Sequence, residues 1–275
     1  MFHLRDCLEG MKELDDRSVD AVVTSPPYNL DIKYSKYKDK KPREQYLKWI
    51  EDIFGECKRV LKDDGHLFVN MGYSNVDPWI GMEVGLAIRN NWELQNHINW
   101  VKSIHVNDKT SGHFKPINSK RYLCPTWEHL FHFTKDGNTE IDLEASGVPY
   151  NTDYNNAARN EKRSGKNWRP TTTCWHITYK SKATKQITRQ ITGDKLHKAI
   201  FPKALVKKCI QISGLKKGII FDPFSGTGTA LVVAKEMGLD FVGCEIDPDY
   251  ADFINKNINE NYNTLYSKEA TSLYP

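Results

Sequence analysis

The hexapeptide Thr24-Ser25-Pro26-Pro27-Tyr28-Asn29 combines residue types that suit a flat, amino-bearing ligand. Two adjacent prolines fix φ and remove two N–H donors, so their carbonyl oxygens remain available as rigid acceptors. The Ser25 hydroxyl adds another acceptor, and the Tyr28 ring adds an aromatic face. Taken alone, the hexapeptide is equally typical of a Pro-Pro strand terminator followed by a surface tyrosine. A second segment, much later in the chain, favours the ligand site.

The segment Asp222–Ala230 contains a glycine turn, Gly226-Thr227-Gly228, between an apolar run and a helical pattern. Glu245 stands nineteen positions beyond Gly226, at the end of the next apolar run. In nucleoside sites, glycines let the backbone approach the ligand and a carboxylate binds the ribose hydroxyls. Because Leu231 occupies the place of the third glycine of a dinucleotide fingerprint, the pattern predicts an adenosine ligand without a pyrophosphate. A tight turn with no ligand is the alternative for the glycines alone.

Apolar runs and helical periodicities supply the elements that position these segments. Val19–Val23 is a predicted strand before the hexapeptide, and Ile219–Phe221 is one before the glycine turn. Strands that alternate with helices predict an α/β fold with a mostly parallel, twisted sheet. Further strands are predicted at Met1–Leu4, His66–Asn70, Trp92–Val101, Thr126–Phe133 and Phe241–Glu245, the third and fourth of them paired as an antiparallel hairpin. Helices are predicted from Leu8, over Glu44–Leu61, Asp77–Asn90 and His197–Ser213, up to Met237, and over Ala251–Asn259.

Positive charge is concentrated in two windows, although the formal net charge of the 275-residue chain is only +4. Between Arg159 and Lys195, ten Lys and Arg residues face two acidic ones, a local balance of +8. Between Asp31 and Lys48, seven basic residues face three acidic ones. Segregated charge of this kind indicates a polyanionic partner, most simply nucleic acid, and a solvated basic face is the alternative.

The periodic pattern is lost between Gly137 and Gly193, where Asn, Thr, Lys and Arg are interspersed with single aromatic residues. We therefore expect a small, irregular subdomain inserted into the α/β fold. The predicted division assigns residues 1–135 and 194–275 to a catalytic and cofactor-binding domain, and residues 136–193 to an inserted target-recognition region.

Two motifs carry a family resemblance. Asp222-Pro223-Phe224-Ser225-Gly226-Thr227-Gly228-Thr229 resembles the S-adenosylmethionine motif of amino-methylating DNA methyltransferases, and Thr24-Ser25-Pro26-Pro27-Tyr28 resembles their catalytic motif. The catalytic motif comes first, which is the order of the permuted beta class found in restriction-modification systems. The resemblance implies a Rossmann-like methyltransferase fold, S-adenosyl-L-methionine as cofactor and double-stranded DNA as partner.

The resemblance also implies roles for individual residues. Asp6 would face the adenine amino group of the cofactor, Ile246 would pack on the adenine, and Phe201-Pro202 would belong to a cofactor wall. The implied catalytic residues are Ser25, Pro26, Pro27 and Tyr28. The implied cofactor-binding residues are Asp6, Thr24, Phe201, Pro202, Asp222, Pro223, Phe224, Gly226, Gly228, Thr229, Glu245 and Ile246. The basic windows suggest DNA contacts by Lys33, Lys36, Arg163, Lys166, Arg169, Lys182 and Lys185.

The implied reaction is methyl transfer to the exocyclic amino group of a base that is flipped out of the duplex. In this family a serine at the first motif position, as at Ser25, is more often associated with cytosine N4, and adenine N6 is the alternative. Carbon-5 methylation of cytosine is disfavoured because Cys124-Pro125 has the reverse of the required Pro-Cys order. A DNA-binding module without activity would leave Asp222–Ala230 and Glu245 unexplained.

Other features restrict the setting in which the protein works. The 6 cysteines show neither CxxC pairs nor metal-ligand spacing, and no apolar run has the length of a membrane span. We therefore expect a cytoplasmic protein with reduced thiols, no metal and no membrane contact. By resemblance, a prokaryotic source, a companion restriction endonuclease and a homodimer are further expectations.

Overall fold

A computed structural model of the chain describes residues 1–32, 36–112, 114, 116–149, 168–178 and 200–259. Within these ranges the strands are β1 (Phe2–Leu4), β2 (Val19–Thr24), β3 (Leu61–Met71), β4 (Glu93–Val101), β5 (Ser103–Val106), β6 (Lys109–Gly112), β7 (Trp127–Thr134), β8 (Val148–Pro149), β9 (Trp168–Arg169), β10 (Cys174–His176), β11 (Ile219–Asp222) and β12 (Asp240–Glu245). The helices are α1 (Cys7–Met11), α2 (Arg43–Val60), α3 (Ile80–Arg89), α4 (Lys203–Ile212), α5 (Thr229–Glu236) and α6 (Pro248–Asn259).

Eight strands form one sheet in the order β1-β12-β11-β2-β3-β7-β4-β10. Neighbouring strands are parallel except where β7 lies between β3 and β4 and pairs antiparallel with both. The α/β fold with a mostly parallel sheet is therefore confirmed. The predicted antiparallel pairing of Trp92–Val101 with Thr126–Phe133 is confirmed too, with Ile98 opposite Leu130. The connection between them contains a short hairpin, β5–β6, that the sequence did not predict.

Helices cover both faces of the sheet and bury apolar side chains against it. On α2 an apolar stripe consists of Tyr46, Ile50, Ile53, Phe54, Cys57 and Val60, all buried as their helical spacing predicts. They pack with the interior residues of β3 and of α3 in one core cluster. The second cluster lies on the other face, where α4 contributes Val206 and Ile210 and α5 contributes Val233.

The start of α4 corrects a predicted boundary. A helix was predicted from His197, but residues 197–199 lie outside the described ranges, and Ile200 to Pro202 are not helical. The helix begins at Lys203 with Pro202 as its N-cap residue. The residue before a proline is biased away from the α region, so Phe201 favours an extended approach to the helix.

The predicted insertion at 136–193 is described only in part. Within it, β8 and β9 form a two-stranded antiparallel ribbon. Strand β10 instead pairs parallel with β4, where Trp175 lies opposite Trp100, and so belongs to the main sheet. The division of the chain at these boundaries stays a prediction. No helix of the described ranges is long and apolar enough to cross a membrane.

Candidate active site

The two motif segments meet at the edge of the sheet that is formed by the carboxyl ends of its parallel strands. Strands β2 and β11 are parallel neighbours, with Val22 opposite Phe221, so the residues that follow their carboxyl ends lie side by side. The Thr24 hydroxyl donates a buried hydrogen bond of 2.6 Å to Asp222 Oδ1, which links the two motifs directly. The topology therefore joins segments that are 198 residues apart in the chain.

A cavity of about 260 Å³ opens at this edge. Most of the residues that the sequence assigned to the catalytic and cofactor sites line it. They are Asp6, Ser25, Pro26, Pro27, Phe201, Pro223, Phe224, Gly226, Thr229, Glu245 and Ile246. Thr24, Tyr28, Pro202, Asp222 and Gly228 do not line the cavity, although Thr24, Asp222 and Gly228 lie in the segments that form its wall.

The glycine turn is held in a left-handed conformation, with φ of +50° at Gly226 and +75° at Gly228. A Cβ atom at position 228 would lie 2.9 Å from Ile254 Cγ1, so glycine is required there for space as well as for φ. The Gly226 N–H donates to Glu245 Oε2 at 2.8 Å, and Glu245 Oε1 accepts from the N–H groups of Ile246 and Asp247. Burial raises the pKa of Glu245, and these backbone hydrogen bonds lower it in part.

Asp222 is a buried carboxylate with an incomplete set of partners. Its side chain is 1% exposed, and Oδ1 accepts hydrogen bonds from Thr24 and from the Phe224 N–H. The second oxygen, Oδ2, is buried without a hydrogen-bond partner. Burial raises the pKa of Asp222 to about 7. The next two residues, Pro223 and Phe224, line the cavity, and a buried acceptor that lacks a donor behind this wall fits a ligand that supplies a donor or a positive charge.

The Pro-Pro segment offers one free carbonyl oxygen rather than two. Pro27 O accepts a hydrogen bond of 2.7 Å from the Tyr46 hydroxyl. No hydrogen bond to Pro26 O is formed by any residue whose position the structure describes. The Ser25 hydroxyl, which is half-buried, contacts the Tyr28 hydroxyl at 3.0 Å. Ser25 Oγ and Pro26 O are therefore the acceptors that remain at the cavity wall.

Tyr28 is more enclosed than its predicted role requires. The residue is only 8% exposed, and its ring packs against Gly72, where an added Cβ would lie 2.5 Å from Tyr28 Cε2. Its hydroxyl is hydrogen-bonded to the side chains of Asn70 and Glu128 as well as to Ser25. The predicted stacking of this ring on a base stays a prediction.

Aromatic residues of the cavity wall were missed by the sequence reasoning. Trp49 of α2 stacks with Tyr37 at a centroid distance of 5.5 Å and lies 5.6 Å from the Phe224 ring. Lys41 Nζ lies 5.4 Å from the Tyr37 ring and 5.6 Å from the Trp49 ring. A tryptophan directly beside Ile50, one of the apolar positions of the helical pattern, was the sequence signal that could have identified this wall. Arg5, Thr227 and Tyr250 also line the cavity without having been predicted.

Of the seven residues predicted to contact DNA, two lie in the part of the chain that the structure describes. Lys36 is exposed and lines the cavity, and Arg169 is exposed on β9. Lys33, Arg163, Lys166, Lys182 and Lys185 lie outside the described residues, so their roles stay predictions. Across the part of the chain that the structure describes, no group of three or more His, Cys, Asp or Glu side chains is arranged to hold a metal ion.

The chain is similar in sequence and in fold to several proteins that are named as methyltransferases or methylases. The chain is 28% identical to the Type II methyltransferase M.BglII of Bacillus subtilis over 262 residues, which cover 90% of this chain and 65% of that protein. PvuII DNA methyltransferase, which is cytosine-N4-specific, superposes with a TM-score of 0.69 at 17% identity, over 97% of this chain and 88% of its own. A protein of Thermus thermophilus that is named a DNA modification methylase, solved with S-adenosyl-L-methionine, superposes with a TM-score of 0.60 at 19% identity, and 93% of each chain is covered.

These structural likenesses show that the fold is shared. The family model for N6 and N4 methyltransferases, described as DNA methylase, matches residues 19–256 and so includes both motif segments and the strands that position them. The chain belongs to the DNA methylase family.

Proposed function

We propose that this protein transfers a methyl group from S-adenosyl-L-methionine to the N4 amino group of cytosine in duplex DNA. The observation that carries the proposal is that one cavity is lined both by Ser25 and Pro26, whose Oγ and carbonyl oxygen retain lone pairs for a ligand, and by the residues of an adenosine-type site. A serine at this motif position favours cytosine. The cytosine-N4 specificity of the PvuII enzyme, which has the same fold, supports the same choice.

The residues around the cavity fit S-adenosyl-L-methionine. The cofactor supplies a methyl group on a positively charged sulfur. Glu245, fixed by three backbone N–H groups, would bind the ribose hydroxyls. Asp6 uses Oδ1 to cap α1, and its carboxylate would bind the adenine amino group. Ile246 and Phe201 would pack on the adenine ring, and Asp222 Oδ2 is an acceptor that still lacks a donor.

The acceptors at the Pro-Pro segment address the chief difficulty of the reaction. The lone pair of an exocyclic amino group is conjugated into the base, so the nitrogen is a poor nucleophile. Ser25 Oγ and Pro26 O would accept hydrogen bonds from its two N–H groups and so favour a tetrahedral nitrogen with a free lone pair. The nitrogen lone pair would form the bond to the methyl carbon, and the electron pair of the broken carbon–sulfur bond would remain on sulfur. The nitrogen then releases one proton to water, which balances the transfer.

Access to the amino group requires the base to leave the duplex, at a cost of a few kcal/mol. Lys36 and Lys41 lie on the wall of the cavity, and their charges would attract the phosphates on either side of the flipped nucleotide. The exposed Arg169 of β9 would extend this contact. The other basic residues of the predicted insertion would take part in target recognition.

Adenine N6 is the second candidate acceptor, since the matched family model spans both N6 and N4 enzymes. Relatives of the Type II methyltransferase kind favour a role in restriction and modification, with a companion endonuclease. A homodimer and a cytoplasmic location belong to the same proposal. A binding module without activity would leave the cavity and the free acceptors without a role.

Incubation of the purified protein with tritiated S-adenosyl-L-methionine and duplex DNA tests the proposal. Incorporation of label into DNA is expected from the wild-type protein, and Ser25→Ala should lower it at least 10-fold without changing cofactor affinity. A boiled sample and single-stranded DNA serve as controls. Absence of label from duplexes that together contain every six-base sequence would contradict the enzymatic proposal.

A further inference from the structure

Next to the Pro-Pro segment lies a partly buried polar cluster, formed by Ser25, Tyr28, Asn70, Lys102 and Glu128, that we call the Glu128 cluster. Lys102 Nζ lies 2.7 Å from Glu128 Oε1. Asn70 Nδ2 donates to Glu128 Oε2 at 2.7 Å and to the Tyr28 hydroxyl at 2.8 Å. The Tyr28 hydroxyl lies 3.2 Å from Glu128 Oε2 and 3.0 Å from Ser25 Oγ. A continuous chain of hydrogen bonds therefore leads from Glu128 to the cavity wall.

The charge state of Glu128 is fixed by its neighbours. Its side chain is 16% exposed and that of Lys102 is 23% exposed, so the ion pair is largely withdrawn from water. Burial by itself raises the pKa of Glu128, but the Lys102 charge and the hydrogen bonds from Lys102, Asn70 and Tyr28 outweigh it, and the pKa lies below its ordinary value. Glu128 is thus an ionised carboxylate, which can only accept hydrogen bonds.

This acceptor determines the direction of the other hydrogen bonds. The Asn70 amide must turn its nitrogen to the carboxylate, and its Oδ1 is left buried without a hydrogen-bond partner. Asn70 therefore donates to Tyr28, and the single hydroxyl proton of Tyr28 is directed to Glu128. Ser25 is left to donate its own proton to the Tyr28 oxygen, which has two lone pairs. The lone pairs of Ser25 Oγ then remain free on the side of the cavity.

We propose that Glu128 is a positioning residue, which acts through Tyr28 to keep Ser25 Oγ a hydrogen-bond acceptor for the substrate amino group. If Tyr28 donated to Ser25 instead, one lone pair of Ser25 Oγ would accept that hydrogen bond. The Ser25 proton could then point at the substrate amino group, which has no use for a donor there. The inference rests on the proposed function, because it concerns how Ser25 meets the amino group that is methylated.

Single-turnover methyl transfer to duplex DNA tests this role with two nearly isosteric variants. Glu128→Gln replaces the acceptor-only carboxylate, and Tyr28→Phe removes the hydroxyl that connects it to Ser25. Each variant is expected to slow methyl transfer by about 100-fold, the loss typical of one misdirected electrostatic contact. Affinities for S-adenosyl-L-methionine and for DNA, measured by calorimetry and by fluorescence anisotropy, should stay within about threefold of wild type. Glu93→Gln, at an exposed position of β4, is the matched control and should be fully active.

The double variant Tyr28→Phe with Glu128→Gln separates this role from a general structural one. Because both residues act through one chain of hydrogen bonds, the double variant should be no slower than the slower single variant. Multiplied losses, or a Glu128→Gln enzyme within threefold of wild type, would overturn the inference.

Glu128→Gln leaves the charge of Lys102 without its partner, and this unpaired charge could by itself prevent folding. The double variant Lys102→Met with Glu128→Leu removes both charges and therefore provides a second test. It should unfold cooperatively and bind the cofactor, yet remain slow, and full activity in this variant would also refute the role. A wild-type protein that labels no DNA would contradict the proposed function as well, whereas an active wild type with an unaffected Glu128→Gln would contradict this inference alone.

Discussion

Replacement of Asp222 by asparagine should make the protein more stable at high pH and weaken its hold on the cofactor. The carboxylate is almost completely buried, and one of its oxygens lacks a donor. Asparagine has the same shape, and its Oδ1 can still accept from Thr24 and Phe224. The substitution therefore removes the negative charge and leaves the surrounding backbone in place.

The size of the effect follows from the pKa of Asp222. A rise from the ordinary value of 3.8 to about 7 corresponds to about 4 kcal/mol at 1.36 kcal/mol per pH unit. Because the folded pKa is the higher one, the favourable contribution of this group is complete below pH 3.8 and is lost as the pH rises through 7. The asparagine N–H₂ group would be buried without acceptors, at a cost of about 1–3 kcal/mol. Asp222→Asn should thus gain about 1–3 kcal/mol over wild type at pH 8.

Urea denaturation of both proteins without cofactor, at pH 8 and at pH 5, measures this difference. At pH 5 the cost of ionisation falls below about 2 kcal/mol, so the advantage of the variant should disappear. Asp252→Asn, at an exposed position of α6, is the control and should change stability by less than about 0.5 kcal/mol. Calorimetry should show cofactor affinity lowered about 10-fold to 100-fold in Asp222→Asn, as expected for loss of a charged acceptor. A variant less stable than wild type at pH 8, or one with unchanged cofactor affinity, would refute the reasoning.

Three further predictions concern acid stability, the glycine turn and DNA binding. Burial lowers the pKa of His66 to about 4 and of His132 to about 3, so their stabilising contribution is present above pH 6.5 and is lost as the pH falls toward these values. Measured in the Asp222→Asn protein, whose carboxyl no longer titrates, this pair should contribute about 4 kcal/mol to the loss of stability between pH 7 and pH 5. His129, whose pKa burial also lowers to about 4, adds to this loss, and a flat denaturation profile would contradict the assignment. Gly228→Ala combines a positive φ with a close approach to Ile254, whereas Gly238→Ala has a positive φ and open space, so thermal unfolding should show the larger loss at 228, about 2 kcal/mol or more. Equal losses of stability in the two variants would show that the close approach to Ile254 makes no contribution. DNA affinity should fall steeply between 50 and 200 mM salt if phosphate contacts dominate, and a weak salt dependence in a titration would argue against them.

The sequence predicted the parts of the site that are continuous in the chain. Thr24 to Tyr28 and Asp222 to Thr229 each follow an apolar strand, so the strand ends could be read locally. Their meeting in one cavity depends on the parallel pairing of β2 with β11, which brings Val22 opposite Phe221. Strand alternation predicted the type of sheet, and no local signal gave the order of its strands.

The sequence did not predict residues that come together only through the pairing of distant strands. Asn70, Lys102 and Glu128 come from or adjoin three different strands, and only the antiparallel insertion of β7 between β3 and β4 brings them together. A charged residue inside the apolar run Trp127–Thr134, and an asparagine at the end of β3, were signals that the sequence did contain. Strand β10 has three residues and no periodicity, so its place beside β4 is set by pairing alone.

The identity of the modified base shows whether this protein methylates an exocyclic amino group. Duplex DNA methylated by the purified protein would be digested to nucleosides and separated by liquid chromatography with mass spectrometry. We expect N4-methylcytosine in DNA treated with the wild-type protein, and at least about 10-fold less of it in DNA treated with the Ser25→Ala protein. N6-methyladenine would reject the choice of cytosine, and 5-methylcytosine, or no methylated base, would contradict the mechanism built on Ser25 Oγ and Pro26 O.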